Sequence, residues 1–222
     1  TVEGKTDPVF SLDVGPGNIL CTAGIDENLP PKGCVRLWKL PVGDDIKVVM
    51  SDDDKFKDNF IIGLPDHQHA VNICRFSPCG KMLATASTRQ IVVYTLQDAN
   101  GWGTLSHESD SIRKLGRTYL RPSLDEIRDL AWSPDCTSLV AGSVDNKAEI
   151  LRISSRDSII LHGHNSYVQG VAWDPLNQYV CTQSADRSMK SHALKSKPGN
   201  AVKLANKGNC VAKMHNGYDL PE

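Results

Sequence analysis

Two His-x-His pairs are the residues whose types and spacing come nearest to a metal site. His67 and His69 form one pair, and His162 and His164 form the other. Imidazole and thiolate groups are the usual protein ligands of zinc. The seven cysteines, however, show none of the C-x-x-C spacing common in structural zinc sites. The sequence therefore favours buried histidines with hydrogen-bonding roles, and we predict no metal and no cofactor.

Three aspartates could instead supply catalytic carboxylates. Asp26, Asp145 and Asp186 each follow an apolar stripe that ends in a small residue. They occur once per repeat at the same turn, so they would not converge on one substrate, and aspartate also stabilises tight turns. Phosphate-binding glycine loops, G-x-S-x-G and H-E-x-x-H are also missing from the sequence. We predict structural aspartates and no catalytic residue, which means that the protein is not an enzyme.

The elements that position these residues come from a repeat in which an apolar residue and a small or acidic residue precede proline. The four copies are Val14-Gly15-Pro16, Phe76-Ser77-Pro78, Trp132-Ser133-Pro134 and Trp173-Asp174-Pro175. Trp132 and Trp173 are 41 residues apart, which matches the roughly 40–45 residues of a four-stranded propeller blade. Wider spacing earlier in the chain indicates polar insertions at residues 41–64 and 97–122. The pattern predicts an all-β propeller with four recognisable blades.

The blades are predicted at residues 1–40, 65–96, 122–153 and 161–192. Third strands are evident at residues 35–38, 91–94 and 148–151, and the first of these ends on Trp38. Residues 188–192 place polar side chains where two apolar ones are expected, so we expect no sound third strand there. Residues 193–222 are rich in Lys, Asn and Gly and are predicted to form a polar, flexible tail. A compact β-sandwich is the alternative fold, because it also uses many short strands.

Composition sets limits on the partners and the compartment. The chain has 222 residues and a net charge of −1, so nothing global favours nucleic acid or a membrane surface. The odd cysteine count and the lack of a signal peptide favour a reducing compartment, the cytosol or the nucleus. We therefore expect no direct contact with nucleic acid and no membrane association.

The fourth repeat resembles a WD repeat. Gly163-His164 lies 22 residues before Asp186, as does the glycine-histidine pair that opens such a repeat. The resemblance implies a buried chain of histidine, strand hydroxyl and turn aspartate that ends at the third-strand tryptophan. The structural repeat residues are then Asp26, Trp38, Asp145, His164 and Asp186.

A narrower resemblance covers residues 8–190. The string from His164 to Leu176, followed by Gln178-Tyr179-Val180, is similar to the family of the middle, WD-repeat subunit of chromatin assembly factor one. Ser143-Val144-Asp145-Asn146 and His69-Ala70-Val71-Asn72 resemble its preceding blades. The HIRA-type histone chaperones, a sister family, share much of the pattern. Both families have seven-bladed propellers, so the resemblance implies that these four blades are part of a longer protein.

The resemblance implies a non-catalytic subunit of a nuclear histone chaperone complex that supports replication-coupled nucleosome assembly. Its expected partners are core histones and the large subunit of the assembly complex, within a hetero-oligomer. The alternatives are a HIRA-type, replication-independent chaperone, or a general WD-repeat adaptor in a ubiquitin ligase or an RNA-processing complex.

Partner-binding residues are expected where the inner strands of a WD propeller begin. In the third and fourth blades these are Glu126, Arg128, Asn165, Tyr167 and Gln169. Tyr167 is the strongest candidate, since an exposed aromatic side chain gives a large contact area at low entropic cost. The alternative is that Tyr167 packs on a neighbouring blade.

Overall fold

The computed structural model describes residues 8–26, 33–41, 59–97, 101–105, 115–197, 200–204 and 210–213. Within these residues the chain is built from strands, with one short 3₁₀ helix at Trp102–Thr104, so the all-β prediction is confirmed. No helix in this described part has the length and apolar character needed to cross a bilayer. The strands are β1 Val9–Gly15, β2 Ile19–Ile25, β3 Gly33–Lys39, β4 Phe60–Leu64, β5 Ile73–Phe76, β6 Met82–Ala86, β7 Ile91–Leu96, β8 Leu115–Leu120, β9 Ile127–Trp132, β10 Ser138–Ser143, β11 Ala148–Arg152, β12 Ser158–Leu161, β13 Val168–Trp173, β14 Tyr179–Ser184, β15 Ser188–Lys197, β16 Asn200–Leu204 and β17 Cys210–Lys213.

These strands form four antiparallel sheets, each from consecutive strands of the chain. The first sheet contains β1–β4, the second β5–β8 and the third β9–β12. The fourth contains β13–β16, and β17 pairs with residues Ser188–Ser191 of β15. The first two sheets belong to one compact unit, Thr1–Arg121, and the last two to a second, Pro122–Glu222. Consecutive antiparallel strands need only short turns, so the four-fold sequence repeat produces four meanders.

The proline motif closes the turn between the first and second strands of a sheet. In the last three sheets, the residue before proline uses its side chain to accept a backbone N–H at the start of the following strand. The acceptors are Ser77, Ser133 and Asp174, at 3.0, 2.9 and 3.0 Å from the donor nitrogens. Each of these turns also has a residue with positive φ, namely Gly80, Cys136 and Asn177. A small polar or acidic residue at this position therefore closes the hairpin.

The core of the first unit lies between its two sheets. Val71 and Cys74 of the second sheet pack in one buried cluster with Cys21, Val35 and Leu37 of the first sheet. Burying such side chains contributes roughly 1.5–3 kcal/mol for each large aliphatic residue. The two sheets are therefore held together mainly by apolar contact.

The segments predicted as polar insertions also supply structure to this unit. Residues 59–64 contain β4, and residues 115–120 contain β8. Trp102 of the 3₁₀ helix is only 1% exposed, and its indole N–H donates to the carbonyl of Gly80 at 2.7 Å. Its ring also packs edge-on against Phe76, with centroids 5.5 Å apart. The second insertion thus contributes an outer strand and a core side chain.

The second unit packs in the same manner. Val140 and Ile150 of the third sheet form a buried cluster with Trp173 and Val180 of the fourth. Gly142 lies at a close contact between the two sheets, because a Cβ at this position would be 2.8 Å from the side chain of Val168. A larger residue at position 142 would force the sheets apart.

Carboxylates link the first strands of adjacent sheets within each unit. In the second unit, one oxygen of Asp129 accepts the next residue's backbone N–H at 2.9 Å, and the other accepts the N–H of Val171 at 3.0 Å. In the first unit, the two oxygens of Asp13 accept the backbone N–H groups of Val14 and Phe76, at 3.0 and 2.7 Å. Each aspartate therefore bridges two strands that do not pair with each other.

The prediction that residues 188–192 could not form a third strand was wrong. β15 pairs with β14 from Met189, opposite Gln183, to Ala193, opposite Tyr179. The buried polar side chains on this strand have partners: Lys190 Nζ donates to the carbonyl of Gly163, and His192 contacts a hydroxyl of β14. The strand also continues to Lys197, into the segment from residue 193 that was predicted to be a flexible tail.

Candidate functional site

The fourth sheet contains a chain of four polar side chains joined end to end. His164 Nδ1 lies 3.1 Å from Asp186 Oδ2, and His164 Nε2 lies 2.8 Å from Thr182 Oγ1. His192 Nε2 contacts the same threonine oxygen at 3.4 Å. Because the carboxylate accepts the Nδ1 proton, Nε2 of a neutral His164 accepts from Thr182, whose oxygen then accepts from His192. The chain runs in one direction and leaves each of these atoms with a partner.

The environment favours a charged Asp186 and a neutral His192. Burial alone would raise the pKa of Asp186, but hydrogen bonds from Ser188, Asn165 and His164 hold that pKa well below its usual range. Burial, together with the charges of His164 and Lys190, lowers the pKa of His192 to about 4. At neutral pH His192 is therefore neutral, and Asp186 is charged and stabilised by its donors.

The second sheet has a matching network that the sequence analysis missed. His67 is fully buried, with Nε2 at 2.7 Å from Thr85 Oγ1 and Nδ1 at 3.1 Å from Ser87 Oγ. Thr85 donates its proton to the carbonyl of Val92, so it accepts from His67, and Nδ1 then accepts from Ser87. Burial lowers the pKa of His67 to about 4. A serine thus replaces the missing turn aspartate and reverses the tautomer.

In the first and fourth sheets, a side chain on the third strand donates to the threonine of the second strand. Trp38 lies opposite Leu20 and donates its indole N–H to Thr22 at 3.0 Å. His192 lies opposite Val180 in the same register position and contacts the equivalent threonine. His192 therefore occupies the position of a WD-repeat tryptophan and supplies the same kind of N–H donor.

The turn aspartates of the first and third sheets have basic partners instead of a histidine. Asp26 pairs with Arg36 at 3.1 Å, and Asp145 pairs with Lys147 at 3.2 Å. In the third sheet Ser123 takes the histidine position, and its backbone N–H donates to the buried carboxylate of Glu149 at 2.7 Å. The sequence analysis did not identify Glu149, although it shares a register position with Arg36.

These networks hold turns and strands together within each sheet. An aspartate, an imidazole and a hydroxyl in line can relay a proton in a hydrolase. Here Thr182 and Thr85 are 1% and 0% exposed, so a substrate has no access to them. Among the described residues, His, Cys, Asp and Glu side chains do not gather in groups of three that could hold a metal ion. The arrangement supports structural roles.

The candidate partner-binding residues lie together in the second unit, at the beginning of β9 and β13. Glu126 and Tyr167 occupy equivalent positions just before these strands. Their carbonyls accept the backbone N–H groups of Val144 and Ala185 at 3.1 and 3.0 Å. Tyr167 is 44% exposed, so part of its side chain is available for contact with a partner. The backbone at both positions is fixed, while the side chains face solvent.

The other three candidates complete this exposed surface. Arg128 and Gln169 are equivalent positions within β9 and β13, and both are exposed. Arg128 forms an exposed ion pair with Glu126 at 3.4 Å. Asn165 is exposed, and its backbone N–H donates to Asp186 at 2.8 Å. The buried network thus anchors the loop that carries Asn165 and Tyr167.

Comparison with known proteins gives one family. Residues 4–217 match the model described as the CAF1B/HIR1 β-propeller domain. The chain is 32% identical over 204 residues to a chromatin assembly factor 1 subunit of Gallus gallus, which covers 86% of this chain and 34% of that protein. It is 31% identical to the subunit of the same name in Saccharomyces cerevisiae (83% and 42% covered) and 30% identical to protein HIR1 of Kluyveromyces lactis (85% and 22%). The chain therefore spans less than half the length of each of these relatives.

Proposed function

Because this chain belongs to the CAF1B/HIR1 β-propeller family, we propose that it is a non-catalytic subunit of a nuclear histone chaperone complex in replication-coupled nucleosome assembly. The observation that carries the proposal is the 32% identity, over 86% of this chain, to a protein named as a subunit of chromatin assembly factor 1. The chain corresponds to 34% of that protein. The proposal for this part is accordingly limited to holding partners together.

The proposed partners are core histones and the large subunit of the complex, within a hetero-oligomer. A binding role fits the side chains available, because the acid–base groups with matched geometry lie inside the sheets. The exposed surface formed by Glu126, Arg128, Asn165, Tyr167 and Gln169 offers an aromatic ring, two amides and an ion pair. Tyr and Arg are among the residues that contribute most of the binding energy in many protein–protein interfaces.

The backbone under this surface favours binding because it is already ordered. Hydrogen bonds fix the residues before β9 and β13, and the Asp186 carboxylate fixes the loop that enters β13. Ordering a mobile loop on binding would cost free energy that a fixed loop does not lose. The rigid sheets would then keep two partners at a constant separation while histones are delivered to DNA.

Replacement of Tyr167 by alanine tests the proposal. Tagged wild-type and variant chains would be used to recover core histones and the large subunit from nuclear extract. We expect Tyr167→Ala to reduce recovery roughly tenfold, the size of effect seen when an interface aromatic is truncated. Tyr179→Ala is the matched control, since Tyr179 is 46% exposed but lies at the start of β14. Unchanged recovery with lower stability would show that Tyr167 is only structural.

A HIRA-type, replication-independent chaperone is the second candidate, and the 30% identity to protein HIR1 of Kluyveromyces lactis supports it. The same recovery experiment separates the two, because a replication-coupled subunit brings down the large assembly-factor subunit. Recovery of histones with other chaperone subunits would favour the second candidate. Recovery of cullin or spliceosomal proteins without histones would indicate a general adaptor.

A further inference from the structure

Two cysteine side chains from different sheets meet in the core of the first unit. Cys21 lies in β2 and Cys74 in β5, and both are free thiols with 0% exposure. Cys74 Sγ lies 3.6 Å from the carbonyl oxygen of Cys21, and both side chains belong to the same buried cluster. A disulfide between these two side chains would join the two sheets.

The surroundings give the two thiols different acidities. The hydrogen bond from Cys21, together with Ser11 and the charge of Arg75, lowers the pKa of Cys74 despite its burial. Burial raises the pKa of Cys21 well above its usual value. Ser11 Oγ lies 3.7 Å from Cys74 Sγ, and Arg75 Nη1 lies 3.1 Å from the same Ser11 oxygen. Since the thiolate is the nucleophile, Cys74 is the attacking sulfur and Cys21 the resolving one.

We propose that Cys21 and Cys74 form a reversible disulfide on exposure to peroxide, which ties the first sheet covalently to the second. The Cys74 thiolate attacks hydrogen peroxide, so that an S–O bond forms, the O–O bond breaks and hydroxide leaves. The Cys21 sulfur then attacks the Cys74 sulfenic acid. The S–S bond forms, the S–O bond breaks, and the hydroxyl leaves as water with the Cys21 proton. Two thiols are oxidised by two electrons and one peroxide is reduced.

Access to this pair requires movement of β1. The Ser11 hydroxyl of β1 accepts the backbone N–H of Cys74 at 3.2 Å and lies beside its sulfur. We therefore expect cross-linking to be slower than modification of the exposed Cys79. The cross-link joins residues 53 positions apart, so it restricts the unfolded chain and raises resistance to unfolding. In a reducing nucleus the bond would form only during an oxidative pulse.

Peroxide treatment of the whole chain, followed by digestion without reductant and mass spectrometry, tests this inference. We expect a cross-linked peptide pair containing Cys21 and Cys74, two hydrogens lighter than the separate peptides, and a higher urea midpoint that dithiothreitol reverses. Cys21→Ser and Cys74→Ser each remove the cross-link, whereas Cys34→Ser and Cys79→Ser retain it.

Other outcomes overturn the inference. A Cys21–Cys34 or Cys74–Cys79 bond would show that a different pair reacts, and sulfonic acid at Cys74 without any cross-link would show that Cys21 does not resolve it. The serine variants report on folding through their urea midpoints under reducing conditions. This readout does not depend on histone binding, so the disulfide and the proposed function can fail separately.

Discussion

Histidine side chains set the direction of the buried hydrogen-bond networks. In the fourth sheet the Asp186 carboxylate accepts a hydrogen bond from Nδ1 of His164, so Nε2 of the neutral imidazole accepts from Thr182. In the second sheet Ser87 faces Nδ1 of His67, and the proton lies on Nε2 instead. Replacing a carboxylate acceptor by a hydroxyl donor is enough to reverse the tautomer. The second-sheet network requires a neutral His67, because its Nδ1 accepts from Ser87.

Stability is expected to fall as the pH is lowered from about 6.5 towards 4, because unfolded histidine titrates near 6.5. The folded pKa of His67 and of His192 is about 4, so the unfolded state binds protons first and the free energy of unfolding decreases. For fully buried His67 the total loss is on the order of 3 kcal/mol. Asp186 has a lowered pKa and loses its contribution only at pH values below its unfolded pKa of about 4.

Urea unfolding across this pH range measures the effect. His67→Gln is expected to be less stable than wild type at neutral pH but to lose less stability on acidification. His162→Gln provides the control, since His162 is exposed. Parallel pH profiles for wild type and His67→Gln would contradict the expectation.

Sequence spacing predicted one of these networks and could have predicted the other. His164 was identified from its glycine-histidine pair, whereas His67 has no glycine before it. Both histidines nevertheless precede their threonine by 18 residues. Glu149 and His192 were harder to predict, because their roles depend on what faces them across the sheet rather than on any linear motif.

Strand pairing alone does not hold neighbouring sheets together within a unit. The first strands of adjacent sheets share no ladder, so apolar packing and the bridging carboxylates of Asp13 and Asp129 make the connection. The sequence predicted the repeated first and third strands from their offsets. It did not predict β4 and β8, because they lie in segments of mixed polarity where periodicity is weak. Residues 188–192 were misjudged because cross-strand partners satisfy their polar groups.

Asp129→Ala is expected to destabilise the protein by about 1–3 kcal/mol, because the amide of Val171 loses its partly buried acceptor. Asp129→Asn retains one carbonyl oxygen, so we expect a smaller loss. Guanidinium unfolding followed by circular dichroism gives both values, and Asp157→Ala, at an exposed turn, serves as the control. Equal stability of Asp129→Ala and wild type would mean that the carboxylate bridge contributes nothing.

Trp102→Ala is expected to cost roughly 3–5 kcal/mol, the range for removing a buried aromatic side chain. The indole fills space beside Phe76 and bonds to the Gly80 carbonyl. Trp102→Phe keeps much of the ring contact and loses only the N–H donor, so we expect about a third of that cost. Thermal unfolding compares the variants. If Trp102→Ala unfolds at the same temperature as wild type, the insertion does not contribute to the core.

At the scale of the whole molecule, β1 is more exposed than the first strands of the other sheets. Leu12 of β1 is 62% exposed, whereas Leu130 and Cys74, at equivalent positions of β9 and β5, are 2% and 0% exposed. Val9, Phe10 and Val14 are also more than half exposed. Such an apolar strand with a free edge favours self-association. The repeat offsets predicted that these residues belong to one series, but they could not show what covers each member.

Residues 1–222 expressed alone are expected to self-associate through β1, and Leu12→Lys is expected to reduce this. The side chain of Leu12 faces solvent, so a lysine there adds charge to the edge without opening a cavity, and the unfolding midpoint changes little. Static light scattering over a concentration series measures association, and urea unfolding measures stability. Leu130→Lys is the matched control. It buries a charge at the equivalent position of β9 and is expected to unfold the second unit. If Leu12→Lys associates as strongly as wild type, another surface drives association and the exposed face of β1 is not responsible.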